Sequence, residues 1–243
     1  MNPVLLFIYN TTPEQLKLSQ LCIESILLQT IPVYLLIVNN GSTPETAQWL
    51  AGLTAPAPHV IEIRHHLHNT APTIIANREC ATFFALDAEY VLGVPSDAIL
   101  PPYCYEQLLK CSSRGFIAAY MHSPEPPRVP ESLAEFTPPA IPPPVHVLHS
   151  NMHTALMLTR RWAFDALIAQ DGYFLDEGMF LYACDLDLKA RLEIVGISGA
   201  QTDLAVYHYS SACWRLATPE ISRAISIQAD RDRAYFAQKW NPA

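Results

Sequence analysis

The chain predicts an α/β fold, with a mostly parallel central sheet flanked by helices in a single domain. Short apolar runs of strand length recur through the first 121 residues. Stretches of helical length and periodicity separate them, the alternation that right-handed crossovers in a parallel sheet require. Small polar residues stand where the apolar runs end, which is where such sheets bind ligands. Half of the 243 residues are hydrophobic, enough to bury a sizeable core.

Residues 4–9 form a continuous apolar run, as expected of a strand buried on both faces. Thr12 and Pro13 then offer an N-cap and a first helical position, which predicts a helix over 13–28. Pro32 stops that helix, and 33–38 is the second strand. Ser42 or Thr43 caps a helix over 43–53. A strand over 60–64, a helix over 72–86 and a strand over 90–94 continue the alternation, followed by a helix over 101–111 and a strand over 116–121. Composition then changes, with nine of the 21 prolines falling within residues 124–144. Proline lacks an N–H and fixes φ, so this stretch predicts a linker or an extended surface loop that adds little to the core. Regular pattern resumes with a strand over 155–159 and a helix over 161–168. Next come a helix over 185–195, a strand over 204–209 and a long closing helix over 219–240.

Formal charge is −8, with only 15 Lys and Arg and no run of them, which disfavours a nucleic-acid backbone as the main partner. The six cysteines form no CxxC pair and read as buried thiols in a reducing compartment. No apolar run approaches about 18 residues, so no transmembrane segment is expected, and the expected location is cytoplasmic.

Candidate chemistry sits at the strand ends. Tyr9 and Asn10 close the first strand. Asn39, Gly41 and Ser42 lie in the turn Asn39-Asn40-Gly41-Ser42-Thr43, which opens a helix and can present backbone amides to a ligand. Ser96 and Asp97 follow the fourth strand; on residue type alone, Asp97 could equally cap a turn. Asp185 and Asp187 open a helix, where Asp185 with Lys189 and Asp187 with Arg191 have the spacing of ordinary surface ion pairs. Two histidine groups, His65-His66-x-His68 and His146-x-x-His149-x-x-x-His153, lack the helical or cysteine context of a zinc site.

In order and spacing these segments resemble the family 2 glycosyltransferases of the GT-A (Rossmann-like) fold, over nearly the whole chain. Phe7-Ile8-Tyr9-Asn10 is similar to the family's opening strand, and Glu24-Ser25-Ile26-Leu27-Leu28-Gln29 to its Ser-x-x-x-Gln helix end. The turn at 39–43 is similar to Asp-Asn-Gly-Ser, with Asn39 in place of the aspartate. Asn69 and Asn77 match two family asparagines, while Ala71 and Glu79 replace the companion glycines and suggest a modified donor-sugar wall. Val94-Pro95-Ser96-Asp97-Ala98 resembles the metal-binding turn. The most specific match runs from Gly172-Tyr173-Phe174-Leu175-Asp176-Glu177 through Cys184-Asp185-Leu186-Asp187-Leu188 to Arg191; it resembles Gly-Phe-Asp-Glu followed by Glu-Asp-x-Asp-Leu and Arg, with Cys184 in place of the glutamate. Val206-Tyr207-His208 is similar to Val-x-His.

The resemblance implies an inverting glycosyltransferase. Mn2+ or Mg2+ would be held by Asp97 and His208, and Asp185 would be the general base. Tyr9, Asn10, Asn39, Gly41, Ser42, Asn77 and Ser96 would line the donor site. The implied partners are a UDP-, dTDP- or GDP-sugar and a hydroxyl-bearing, carbohydrate-type acceptor. Residues 1–121 would form the nucleotide-sugar half, 122–144 a proline-rich loop and 145–243 the acceptor and catalytic half. Asp187 reads as a structural partner of Arg191, and the closing Tyr235-Phe236-x-x-Lys239-Trp240 as packing. The four departures, Asn39, Ala71, Glu79 and Cys184, keep open a non-catalytic sugar-nucleotide binder. A glycosyltransferase acting on modified DNA bases is a second alternative, disfavoured by the net charge.

Overall fold

The computed structural model describes residues 2–111, 114–122, 128–136, 146–148 and 156–241. Its first half follows the expected order: β1 (Pro3–Ile8), α1 (Pro13–Leu27), β2 (Tyr34–Asn40), α2 (Pro44–Ala51), β3 (Val60–His66), α3 (Pro72–Ala85) and β4 (Tyr90–Pro95). Then come β5 (Ala98–Ile99), α4 (Cys104–Lys110), β6 (Phe116–His122), a 3-10 turn at Leu133–Glu135, β7 (Val147–Leu148), β8 (Met157–Arg160), α5 (Arg161–Asp171), α6 (Cys184–Ile194), β9 (Gly199–His208), α7 (Ala212–Arg215) and α8 (Pro219–Trp240).

Local chemistry explains the first helix. Thr12 Oγ1 accepts from the Gln15 amide at 3.4 Å, and Gln15 Oε1 accepts from the Thr11 amide at 2.7 Å, a reciprocal arrangement akin to a capping box. At α2 the cap differs from expectation. Thr43 is the N-cap but makes no side-chain cap bond. The Ser42 hydroxyl turns back to β1 instead, accepting from the Asn10 amide at 3.0 Å and donating to the Ile8 carbonyl at 3.2 Å.

All nine strands among the described residues join one mixed sheet in the order β3-β2-β1-β4-β8-β6-β9-β5, with β7 beside β9. Strands β1 to β4 make the expected parallel block. The second half adds antiparallel pairs, β8 with β4 and β6, and both β5 and β7 with β9. Strand β9 starts at Gly199, five residues before the predicted Leu204, because its buried Gln201 and Thr202 break the apolar pattern without breaking the strand. The two-residue strands β5 and β7 carry too little pattern to be read, and exist through pairing with β9.

Alternation along the strands divides the core. Val4, Leu6 and Ile8 of β1 face a cluster with Cys22, Ile23 and Ile26 of α1 and Tyr105 of α4. Leu5 faces the opposite layer, with Ile75, Cys80 and Phe83 of α3, Phe164 of α5, and Leu188 and Leu192 of α6. The sheet is therefore covered on both faces, as parallel strands require. No α-helix or strand occurs in the described part of the proline-rich stretch, residues 128–136. Yet it adds more than expected: Val129, Leu133 and Phe136 pack against Leu18, Leu21 and Ile99 in a third apolar cluster. Residues 124–127 and 137–144 of that stretch lie outside the described residues.

Candidate active site

A cavity of about 390 Å3 opens at the carboxyl ends of β1 and β4, on the face covered by α3 and α6. Phe7, Pro95, Thr73, Cys80 and Phe174 help form its walls, and two carboxylates and an imidazole line it: Asp97, Asp185 and His208.

Asp97 occupies the turn between β4 and β5. Antiparallel pairing sets Ala98 against His208, and the Tyr209 amide donates to the Asp97 carbonyl at 2.9 Å. That register brings His208 Nε2 to 3.2 Å from Asp97 Oδ1. Ser25 of α1 and Gln29, just past the end of that helix, fix the segment after β5. Ser25 Oγ accepts from the Leu100 amide at 3.1 Å, while Gln29 donates to the Pro101 carbonyl at 2.9 Å and accepts from the Tyr105 amide at 2.9 Å. Below the turn lies the fully buried Cys22 thiol, whose pKa is pushed up by burial and then by the charge of Asp97.

One carboxylate and one imidazole fit a divalent ion that takes its remaining ligands from elsewhere. Donors about 2.1 Å from one ion at right angles lie about 3 Å apart, close to the observed separation. Among the described residues no group of three or more His, Cys, Asp or Glu could hold a metal by itself.

Asp185 stands in the first turn of α6. Its Oδ1 accepts from the Leu186 amide at 2.9 Å, and among the described residues it has no ion-pair partner, so the Lys189 pairing does not form. Helix N-termini favour negative charge. Asp187 behaves differently. It is fully buried and bound by Arg191 at 2.7 Å, Lys239 at 2.6 Å and the Trp240 indole at 3.0 Å. Arg191 in turn donates to the Phe174 carbonyl at 2.6 Å, and its guanidinium lies 4.7 Å from the centre of the Tyr173 ring.

The turn after β2 is stitched to its neighbours. Asn39 lies 3.1 Å from His65 Nδ1 through Nδ2 and accepts from the Ser42 amide at 3.3 Å. Asn40 holds the next loop through Asn69, and through the Thr70 amide at 2.9 Å. Gly41 has φ +80, and a Cβ there would come within 2.8 Å of the Asn69 backbone, so both conformation and close approach require glycine. Asn10 is 2% exposed; Ser19 donates to its Oδ1 at 2.9 Å, while its Nδ2 has no hydrogen-bond partner among the described residues. Tyr9 and Asn69 line a second cavity of about 200 Å3, which shares Leu181 and Tyr182 with the first. Ser96 is half-buried on the β4–β5 turn and does not line the main cavity.

Other expected residues support the walls. Asn77 clasps Leu175, donating to its carbonyl at 2.8 Å and accepting from its amide at 2.7 Å. Glu79 is fully buried and paired with Arg64 and Arg78, outside the main cavity's lining. Cys184 lines the cavity, and its thiol donates to the Leu181 carbonyl at 2.9 Å. Cys80, also in the wall, is a free thiol whose pKa burial and the neighbouring Glu79 charge push up to about 12. The histidine groups do not converge: His65 meets Asn39, His66 meets Arg78 at 2.9 Å, and His146 pairs with Asp203 at 2.7 Å. His149 and His153 lie outside the described residues.

The reading of motifs missed Asp232. It is 1% exposed on α8 and accepts from the amides of Phe180, Leu181 and Tyr182 at 3.1, 2.9 and 2.8 Å. A signal existed. Ile221, Ile225, Gln228, Asp232, Tyr235 and Lys239 recur at helical spacing, which places a carboxylate on the inward stripe.

No family model and no curated protein matches the sequence. Solved structures do. TarS 1–349 from S. aureus superimposes with a TM-score of 0.54 at 18% identity over 94% of this chain. Its complex with UDP-GlcNAc gives 0.53 at 18% identity. The mannosyltransferase PcManGT from Pyrobaculum calidifontis, in complex with GDP-Man and Mn2+, gives 0.53 at 13% identity and covers the whole chain and 77% of its own. The chain spans about 65% of the length of TarS 1–349. These likenesses show the fold, a GT-A-like α/β domain.

Proposed function

We propose that this chain is an inverting glycosyltransferase that moves a sugar from a nucleotide-diphosphate sugar to an acceptor hydroxyl, consistent with a carbohydrate acceptor. The observation that carries the reading is the meeting of Asp97, His208 and Asp185 around one cavity at the strand ends of a GT-A-like sheet. Structural neighbours with this fold were solved with UDP-GlcNAc and with GDP-Man and Mn2+, which supports a nucleotide-sugar donor.

Asp97 and His208 would hold Mn2+ or Mg2+ with the donor diphosphate. A divalent ion there neutralises the charge that gathers on the departing nucleoside diphosphate. Asp185 takes the proton of the acceptor hydroxyl. The acceptor oxygen then bonds the anomeric carbon from the face opposite the leaving group, the bond from that carbon to the phosphate oxygen breaks, and configuration inverts. Tyr9, Asn10, Asn39, Gly41 and Ser42 form the nucleotide side. The buried, unpartnered Asn10 Nδ2 supports a ligand there, since an unpaired buried donor costs about 1–3 kcal/mol. Asn77 holds the donor wall through Leu175, and Ser96 sits on the turn that carries Asp97. Strands β1 to β6 belong to the donor half and β7 to β9 to the acceptor half.

A thermal-shift panel of UDP-, dTDP- and GDP-sugars, with and without manganese, tests this reading, because a ligand that binds only the folded chain raises its apparent stability. One nucleotide sugar should raise the melting temperature, and more so with manganese. No shift with any of them in either condition would contradict the proposal.

A further inference from the structure

Asp232 is an unusual group for the interior of a closing helix. A carboxylate that is 1% exposed must be fully hydrogen-bonded to be tolerated, and this one is. Oδ1 accepts from the Phe180 amide at 3.1 Å and from Gln228 Nε2 at 2.7 Å. Oδ2 accepts from the amides of Leu181 at 2.9 Å and Tyr182 at 2.8 Å. Three successive amides thus converge on one carboxylate, a backbone nest filled by the protein's own anion. Such charge-assisted bonds are shorter and stronger than neutral ones.

The nest ends three residues before Asp185, and little freedom remains between them. Ala183 is held in the left-handed region at φ +60, a conformation that a non-glycine residue keeps only where its surroundings fix it. Cys184 is tied back to the Leu181 carbonyl at 2.9 Å. Leu181, Tyr182 and Ala183 line the same cavity as Asp185. The direction in which α6 enters the cavity is therefore set by the loop, and the loop by α8.

We infer that Asp232 is a positioning residue for the general base: it anchors the loop at residues 180–182 so that Asp185 meets the acceptor hydroxyl. This rests on the reading of Asp185 as the base. Asp232→Asn keeps the shape but offers an NH2 group where two N–H donors need an acceptor. Misplacing a catalytic group by about 1 Å can cost on the order of a hundredfold. The variant should lower kcat by about ten- to a hundredfold, measured well below its melting temperature, while donor KM stays within about twofold. The double variant Asp232→Asn/Asp185→Asn should be no slower than Asp185→Asn alone, because Asp232 acts only through that carboxylate. In the wild-type chain, hydrogen exchange should show the amides of residues 180–182 protected, a measurement that needs no variant to fold. Amides there that exchange as freely as an open loop would overturn the inference. So would an Asp232→Asn variant of unchanged kcat beside a disabled Asp185→Asn, or a double variant slower by the full product of the single losses; either leaves the proposed function standing. Wild-type transfer by Asp185→Asn would instead remove the base itself, and this inference with it.

Discussion

Asp185 and Asp187 stand two residues apart on one helix and face different surroundings. Asp185 reaches the cavity with, among the described residues, only the Leu186 amide on its carboxylate, whereas Asp187 is fully buried under Arg191, Lys239 and Trp240. Asp185→Asn should reduce transfer by about 100- to 10,000-fold, the usual contribution of a general base, with donor affinity little changed. Asp187→Asn should lower the melting temperature and leave turnover per folded molecule within a few fold. Steady-state kinetics beside thermal denaturation separates the two, and the reverse pattern would show that the bases have been exchanged. The Asp187–Arg191 pairing was legible from its i,i+4 spacing. The partners from α8 were not, because contacts across about 50 residues leave no local trace. Asp232 left only the helical stripe of α8 as a sign, and its partners, the amides of residues 180–182, were as hidden as those of Asp187.

Helices and strands were legible where they carried several turns or a full apolar run. The first seven elements and the long helices follow the expected order, while β5, β7 and α7 have too few residues to show a period. Short β5 matters most to the site, since its pairing with β9 sets Asp97 against His208. The closing helix α8 is more than packing. Lys239 binds Asp176 and Asp187 at 2.6 Å each and Tyr173 at 3.0 Å, tying α8 to α6 and to the loop before it. Lys239→Ala leaves the buried Asp187 short of one partner and should destabilise the chain by about 3 kcal/mol. Urea denaturation measures this directly; a loss below about 0.5 kcal/mol, the scale of an exposed pair, would show that the cluster contributes little.

Across the whole molecule, folding gathers groups that the sequence scatters, and acid should loosen what it gathers. Burial opposes the charge of Asp176, but Lys239 and the Gly178 amide outweigh it and hold the carboxyl below its ordinary value of 3.8. A carboxylate with a lowered folded-state pKa contributes stability above its unfolded value, and loses that stability as pH falls through the folded one. Unfolding free energy should therefore drop between about pH 5 and pH 2, and Asp176→Asn should flatten the drop. An equal slope in both proteins would assign acid sensitivity to other carboxylates. The central claim, though, is that a nucleotide sugar and a divalent ion bind together at the Asp97–His208 end of the cavity. Calorimetric titration of the donor found by the thermal-shift panel, into wild type and Asp97→Asn with manganese present, tests it most directly. The account predicts measurable binding by the wild type and at least tenfold weaker binding by a variant that still melts cooperatively; equal manganese-dependent binding by both proteins would contradict it.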